Sequence, residues 1–211
     1  MEIICIAHSG FLVGLTGYNF IFDYFTDKKN IITPEIFKTK KTCVFVSHSH
    51  FDHYNTKIFD WSAYGELTYI LDSGCKIPAG VKSDREKIIF VREGESVDLY
   101  GGAVKINTYG STDEGVSFLA EAENRVIFHA GDLNDWYWED ESTQEELAEY
   151  EMNYINIIKK LAGKNIDLAF VPEDPRLGRN AGRGIAHFKK IVAPERIIAM
   201  HYPGNDGKIM V

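Results

Sequence analysis

The stretch Val44-Phe45-Val46-Ser47-His48-Ser49-His50-Phe51-Asp52-His53 decides how this chain is read. A short, β-prone apolar run stops abruptly and delivers three of the chain's seven histidines, with an aspartate, in one hexapeptide. That concentration is hard to reconcile with an ordinary solvated loop. Side chains alternate along extended backbone, so His48 and His50 point the same way and two imidazoles can reach one cation. Asp52 and His53 are neighbours and would diverge on a straight strand. They converge on a second cation only if the chain turns after His50, and the polar Ser49 and Asp52 suit such a turn. Nitrogen and oxygen donors in this layout predict two metal ions side by side.

Working outward, the bulk properties of the chain agree with a cytosolic enzyme. Its 211 residues suffice for one domain with a sizeable core, and 45% hydrophobic with 26% charged residues is ordinary for a globular protein. A formal net charge of −8 argues against a general nucleic-acid binder and leaves a small substrate, including an anionic one, as the expected partner. Cys5, Cys43 and Cys75 are far apart and lack Cys-x-x-Cys spacing, which predicts reduced thiols in a reducing compartment and so a cytoplasmic setting. The Met-Glu start is unlike a signal peptide, and no apolar run approaches a membrane span. Nothing in the composition speaks to oligomeric state.

Upstream of the histidines, residues 3–7, 11–15 and 18–22 read as strands with Gly14 and Gly17 near the turns, and Asp23 ends the third. Residues 26–42 are polar and Lys-rich, with a short helix expected after Thr33-Pro34. Downstream, residues 55–59 suggest a helical turn. Residues 67–71, 87–91, 96–99 and 103–108 then read as short strands, with a hairpin at Gly101-Gly102. After a strand at 125–129 come Gly131-Asp132 and an aromatic cluster, Trp136-Tyr137-Trp138, which suits either a pocket wall or a hydrophobic plug. Leu147, Tyr150, Tyr154, Ile157, Ile158 and Leu161 have helical spacing, so a helix is expected over 143–162 with Gly163 as its stop. A buried strand at 167–171 leads into Pro172-Glu173-Asp174-Pro175-Arg176. A short helix over 182–192 carries His187 as an ordinary packed residue, and a strand at 196–200 ends at His201. No linker divides the chain, so residues 1–211 are expected to form a single domain.

His-x-His-x-Asp-His after an apolar strand resembles the signature of the metallo-β-lactamase superfamily. Ala7-His8-Ser9-Gly10-Phe11-Leu12-Val13 and His129-Ala130-Gly131-Asp132 look like the branch containing ascorbate-6-phosphate lactonase and its relatives. The resemblance runs over residues 2–204 and implies an α/β, four-layer αββα sandwich. It implies that His48, His50 and Asp132 hold a first metal, and that Asp52, His53, Asp132 and His201 hold a second, with Asp132 as the bridge. Asp23 matches the aspartate that supports the metal loop. The motif is specific for the superfamily and silent about substrate, because that fold serves lactams, lactones, thioesters, phosphodiesters and phosphonates.

One departure stands out. Most relatives place a third histidine for the first metal in the turn that is Gly110-Ser111-Thr112-Asp113-Glu114-Gly115 here, near Ser111 or Thr112. Asp113 is the candidate replacement, and a turn that only shapes the pocket is the alternative. Fewer imidazoles and more oxygen would shift preference from zinc, the first expectation, towards manganese or iron.

The expected reaction is hydrolysis of a small ester, lactone or related carbonyl substrate by a hydroxide held between the two divalent ions. Asp52 counts among the catalytic groups as well as the ligands. His8, His129 and Asp174 are the candidates for returning a proton to the leaving group. His8 reads equally as a strand-end histidine bonded to backbone, His129 as a packed imidazole behind the site, and Asp174 or Arg176 as an internal ion pair or a substrate contact. The alternatives are a phosphodiesterase of the same fold and a non-catalytic metal- or ligand-binding protein. An oxygen-reducing di-iron role is disfavoured, because that branch carries Glu where this chain has His50.

Overall fold

Glu2–Ala7 (β1), Gly10–Gly14 (β2) and Tyr18–Phe22 (β3) form an antiparallel meander. Lys41–Val46 (β4), Leu67–Asp72 (β5) and Ile88–Val91 (β6) continue the sheet in parallel, in the order β1-β2-β3-β4-β5-β6. The computed structural model describes residues 1–81, 87–202 and 206–207. All of β2 is buried, and so is all of β4 after Lys41, as a near-continuous apolar run between parallel neighbours should be. On one face Ile21, Val44, Val46, Tyr69 and Leu71 pack with Phe37, Ile58, Phe59 and Trp61 from the crossovers. On the other, Phe22 stacks on Phe45 at 4.6 Å between ring centroids, and Phe20 meets Phe45 edge-on.

The crossovers on either side of β4 are 3-10 turns rather than α-helices. Pro34–Phe37 follows Thr33 as expected, and Thr56–Ala63 is longer than the expected turn at 55–59, with the Asn55 side chain accepting from Lys57 N–H at its start. Gly10 is required where it stands: a Cβ there would lie 3.0 Å from both the Ala7 and Asp23 carbonyl oxygens.

The second sheet has the order β12-β11-β10-β9-β8-β7. Its strands are Ser96–Leu99 (β7), Val104–Tyr109 (β8), Ser117–Ala122 (β9), Arg125–His129 (β10), Leu168–Pro172 (β11) and Ile197–Met200 (β12). The first four are antiparallel and the last two join in parallel. Glu123 and Asn124, both at positive φ, make the two-residue β9–β10 hairpin. Gln144–Ile158 (α1) crosses from β10 to β11 and Arg183–Ile191 (α2) from β11 to β12.

By contacts the chain divides into two compact units, Met1–Arg92 with Pro203–Val211, and Glu93–Tyr202, and each contains one sheet. Among the described residues, no helix is long and apolar enough to cross a membrane.

Candidate metal centre

In the first unit the donors emerge from the carboxyl end of β4, the end of a parallel strand where α/β folds collect ligands. The turn expected after His50 is present: His53 N–H and Tyr54 N–H both donate to the His50 carbonyl, at 3.1 and 2.9 Å. Asp23, fully buried, holds this loop from the end of β3. It accepts from Ser47 N–H at 2.8 Å, from the Ser47 hydroxyl at 2.6 Å and from His53 Nδ1–H at 2.8 Å.

These bonds decide the imidazole tautomers. The Ser47 proton goes to Asp23, so Ser47 Oγ accepts from His48 Nδ1–H at 2.9 Å, which leaves the His48 lone pair on Nε2. His53 gives its Nδ1–H to Asp23 and likewise presents Nε2 as a base. His48 Nε2 lies 3.0 Å from His50 Nδ1. Two donors of one tetrahedral ion with bonds of about 2.0–2.1 Å stand roughly 3.3 Å apart, so the pair suits a shared cation. Donor atoms of His8, Asp52 and His53 also lie within 4.8 Å of one another.

In the second unit, Asp132 follows β10, Asp174 follows β11 and His201 follows β12, again at the carboxyl ends of parallel strands. His201 Nδ1 is 3.0 Å from Asp174 Oδ2, and its Nε2 is 3.3 Å from Asp132 Oδ1. Asp174 also accepts from Arg176 N–H at 2.8 Å and from the Arg176 guanidinium at 2.5–3.0 Å. Burial works to raise the Asp174 pKa, but the Arg176 hydrogen bonds and the His201 charge outweigh it and hold the carboxyl below its ordinary value. Trp136 donates from Nε1 to the Asp132 carbonyl at 3.0 Å and meets His201 edge-on. Trp138 stacks parallel to Trp136 and carries the Arg176 guanidinium, 5.6 Å from its centroid. Tyr137, Trp138 and Arg176 help line a cavity of ≈ 400 Å³.

His129 is fully buried in β10, where its Nδ1 accepts from Gly131 N–H at 3.2 Å. Asp113 is exposed, with a carboxylate oxygen within 4.8 Å of one on Asp132. The Thr112 hydroxyl donates to the Asn134 carbonyl at 2.6 Å and accepts from Asn134 N–H at 3.0 Å, tying this turn to the segment after Asp132. That tie has no signature in the sequence. Nor does the network beyond it, in which Arg183 bridges buried Asp135 at 3.0 Å and Glu151 at 2.9 Å, with His187 3.6 Å from Asp135. Burial pushes the Asp135 carboxyl above its ordinary pKa despite the Arg183 charge.

The two six-stranded sheets and their strand order define a metallo-β-lactamase fold. The chain is similar to Igni18, a novel metallo hydrolase from the hyperthermophilic archaeon Ignicoccus hospitalis, at 16% identity and TM-score 0.64 over 95% of this chain and 82% of that one. It is similar to the metallo-β-lactamase fold protein YhfI from Bacillus subtilis at 12% identity and TM-score 0.61, covering 100% and 99% of the two chains. The diiron β-hydroxylase CmlA from Streptomyces venezuelae shares the fold at 11% identity and TM-score 0.63, over 95% of this chain but only 44% of CmlA. No protein-family model and no curated protein matches the chain. Hydrolases and a hydroxylase share this architecture, so the fold alone does not choose the reaction.

Proposed function

We propose that this protein is a metal-dependent hydrolase of the metallo-β-lactamase superfamily, acting on a small ester, lactone or related carbonyl substrate. The observation that carries it is the loop after β4, where Ser47 and Asp23 lock His48 and His53 with Nε2 as the base. That arrangement costs buried polar groups and is the outer-shell support that metal-ligating imidazoles require. On this reading, as the resemblance implies, His48, His50 and Asp132 would hold the first ion and Asp52, His53, Asp132 and His201 the second. When bound, the ions supply Lewis acidity, bringing a water's pKa down to about 7 and polarising the scissile group.

The chain's own residues do the positioning. Asp23 and Asp174 each hold an imidazole by its Nδ1–H, and Asp174, kept ionised by Arg176, orients His201 rather than donating a proton. Arg176, lying on Trp138, spends its Nε and Nη2 on Asp174 and so acts as the internal ion pair that fixes this loop. Asp113 supplies an oxygen near the first ion in place of the missing imidazole, which favours zinc at the second site and broadens the first towards manganese or iron. His50, where the oxygen-reducing branch carries Glu, supports hydrolysis over di-iron oxygen chemistry.

Elemental analysis of protein purified without chelator, followed by assays on lactones, thioesters and phosphodiesters, tests this directly. Metal with lactone or thioester turnover is the expected result, and phosphorylated sugar lactones are the first compounds to try, given the branch resembled. Phosphodiester cleavage alone would transfer the protein to the other hydrolytic class. Bound metal without turnover on any substrate, after loading with zinc, manganese and iron, would leave a binding protein.

A further inference from the structure

We infer that His8 is a metal ligand, adding a second imidazole to the ion held by Asp52 and His53; the inference rests on the metal-centre reading above. His8 occupies the two-residue turn between β1 and β2 with φ 56, a backbone region that side chains other than Gly, Asn, Asp and His rarely enter. Asp23 at φ 42 and His201 at φ 69 share that property, as do Glu123 and Asn124 in the β9–β10 hairpin, so the turn itself accounts for the φ of His8.

The ring has a hydroxyl neighbour, as His48 does, although here no carboxylate fixes the direction of the bond. Buried Ser9 places its hydroxyl 3.2 Å from His8 Nδ1. With Ser9 Oγ accepting from Nδ1–H, the lone pair sits on Nε2, the tautomer that Ser47 sets for His48 and Asp23 sets for His53. His8 Nε2 lies 4.0 Å from Asp52 Oδ2, and all three donor atoms of His8, Asp52 and His53 fall within 4.8 Å. That is too long for a hydrogen bond and longer than the ~3.3 Å between two donors of a tetrahedral ion, so ligation would draw the two side chains together. The side chain is 20% exposed, so solvent and ions reach it without a cavity having to open. In a chain whose Ser111–Thr112 turn lacks the usual imidazole, His8 moves nitrogen character to the second ion, which would then be the tighter of the two.

His8→Gly removes the ring and relieves the positive φ, so it should fold at least as well as wild type in the metal-free state. His8→Asn keeps a residue tolerant of that φ and guards against an effect of lost side-chain packing. We expect competition titration with a chromophoric chelator to show two binding steps in wild type. In both variants the tighter step should weaken tenfold or more while the weaker step is unchanged. The cobalt-substituted protein should also lose one hyperfine-shifted imidazole N–H resonance. Variants with both binding steps and the cobalt spectrum of wild type, compared with a His53→Asn protein that loses the tighter step, would overturn the ligand assignment alone. A wild-type protein that binds neither cobalt nor zinc would overturn the underlying metal-centre reading, and this inference with it.

Discussion

Asp23 concentrates more of the site's order than any histidine does. One buried carboxylate fixes the first residue of the metal loop through Ser47 and the last through His53. Asp23→Asn keeps the size and tolerates φ 42, but its amide can no longer accept from all three donors. Hydrogen bonds to a buried charge contribute about 1.5–3 kcal/mol each, so chemical denaturation should show a loss of roughly 2–3 kcal/mol. Metal affinity should fall about 10–100-fold, as for other lost outer partners of a ligating histidine. Asp174 supports His201 in the same way and adds a pH signature. Its folded pKa is depressed below the ordinary aspartate value of 3.8, so the folded state binds fewer protons than the unfolded state around that pH. The stabilisation is therefore complete above about pH 3.8 and is lost as pH falls through the folded value. Asp174→Asn should be less stable than wild type at pH 7, by about 1–3 kcal/mol, and the gap should narrow as pH falls through the depressed folded value. A gap that persisted unchanged to pH 2 would show that the carboxylate's charge does not stabilise the fold.

At the scale of elements, α1 is a helix whose beginning is written in its residues. Thr143 Oγ1 accepts from Glu146 N–H, and Glu146 reaches back to Thr143 N–H at 2.8 Å, a complete capping box. Thr143→Ala should cost about 1 kcal/mol in denaturation midpoint analysis and leave metal content and turnover unchanged. A loss of metal would mean that α1 is coupled to the site in a way its cap does not explain. The far end was less legible: the apolar spacing runs to Leu161, but the α-helix stops at Ile158, and a 3-10 turn, Lys159–Leu161, tightens the chain before Gly163 at φ 80. Most strands could be placed to within a residue or two because Gly and polar residues bound short, β-rich runs, but β9 at Ser117–Ala122 was given no range. The crossover at Thr56–Ala63 was only half visible, since 3-10 turns carry no distinct period. The tie from Thr112 to Asn134 and the pairing of His201 with Asp174 join residues 22 and 27 apart, and no local pattern announces either. The candidate donors were expected from motif and resemblance, and so was the support of the loop by Asp23; the hold of Asp174 on His201 and the Thr112 tie were not.

At the scale of the whole molecule, each unit builds a consecutive sheet, antiparallel at one edge and parallel at the other, and presents donors at the carboxyl ends of its parallel strands. The proposed function requires that His53 from the first unit and Asp132 from the second serve the same ion, and this makes a quantitative demand. If they share an ion, His53→Asn and Asp132→Asn each weaken its binding, and the double variant should lose much less than the sum, because the second substitution acts on a site already emptied. Separate ions in separate units would give additive losses. The same sharing sets the stability response. Metal at 100-fold above its dissociation constant should stabilise wild type by about 2.7 kcal/mol, and either single variant should forfeit most of that gain. His187→Ala serves as the control, because its ring faces Asp135 and Glu151 and should leave both readouts unmoved. Additive losses in the cycle, with each variant keeping half of the metal stabilisation, would dismantle the shared centre and with it the hydrolytic mechanism built on a bridging Asp132.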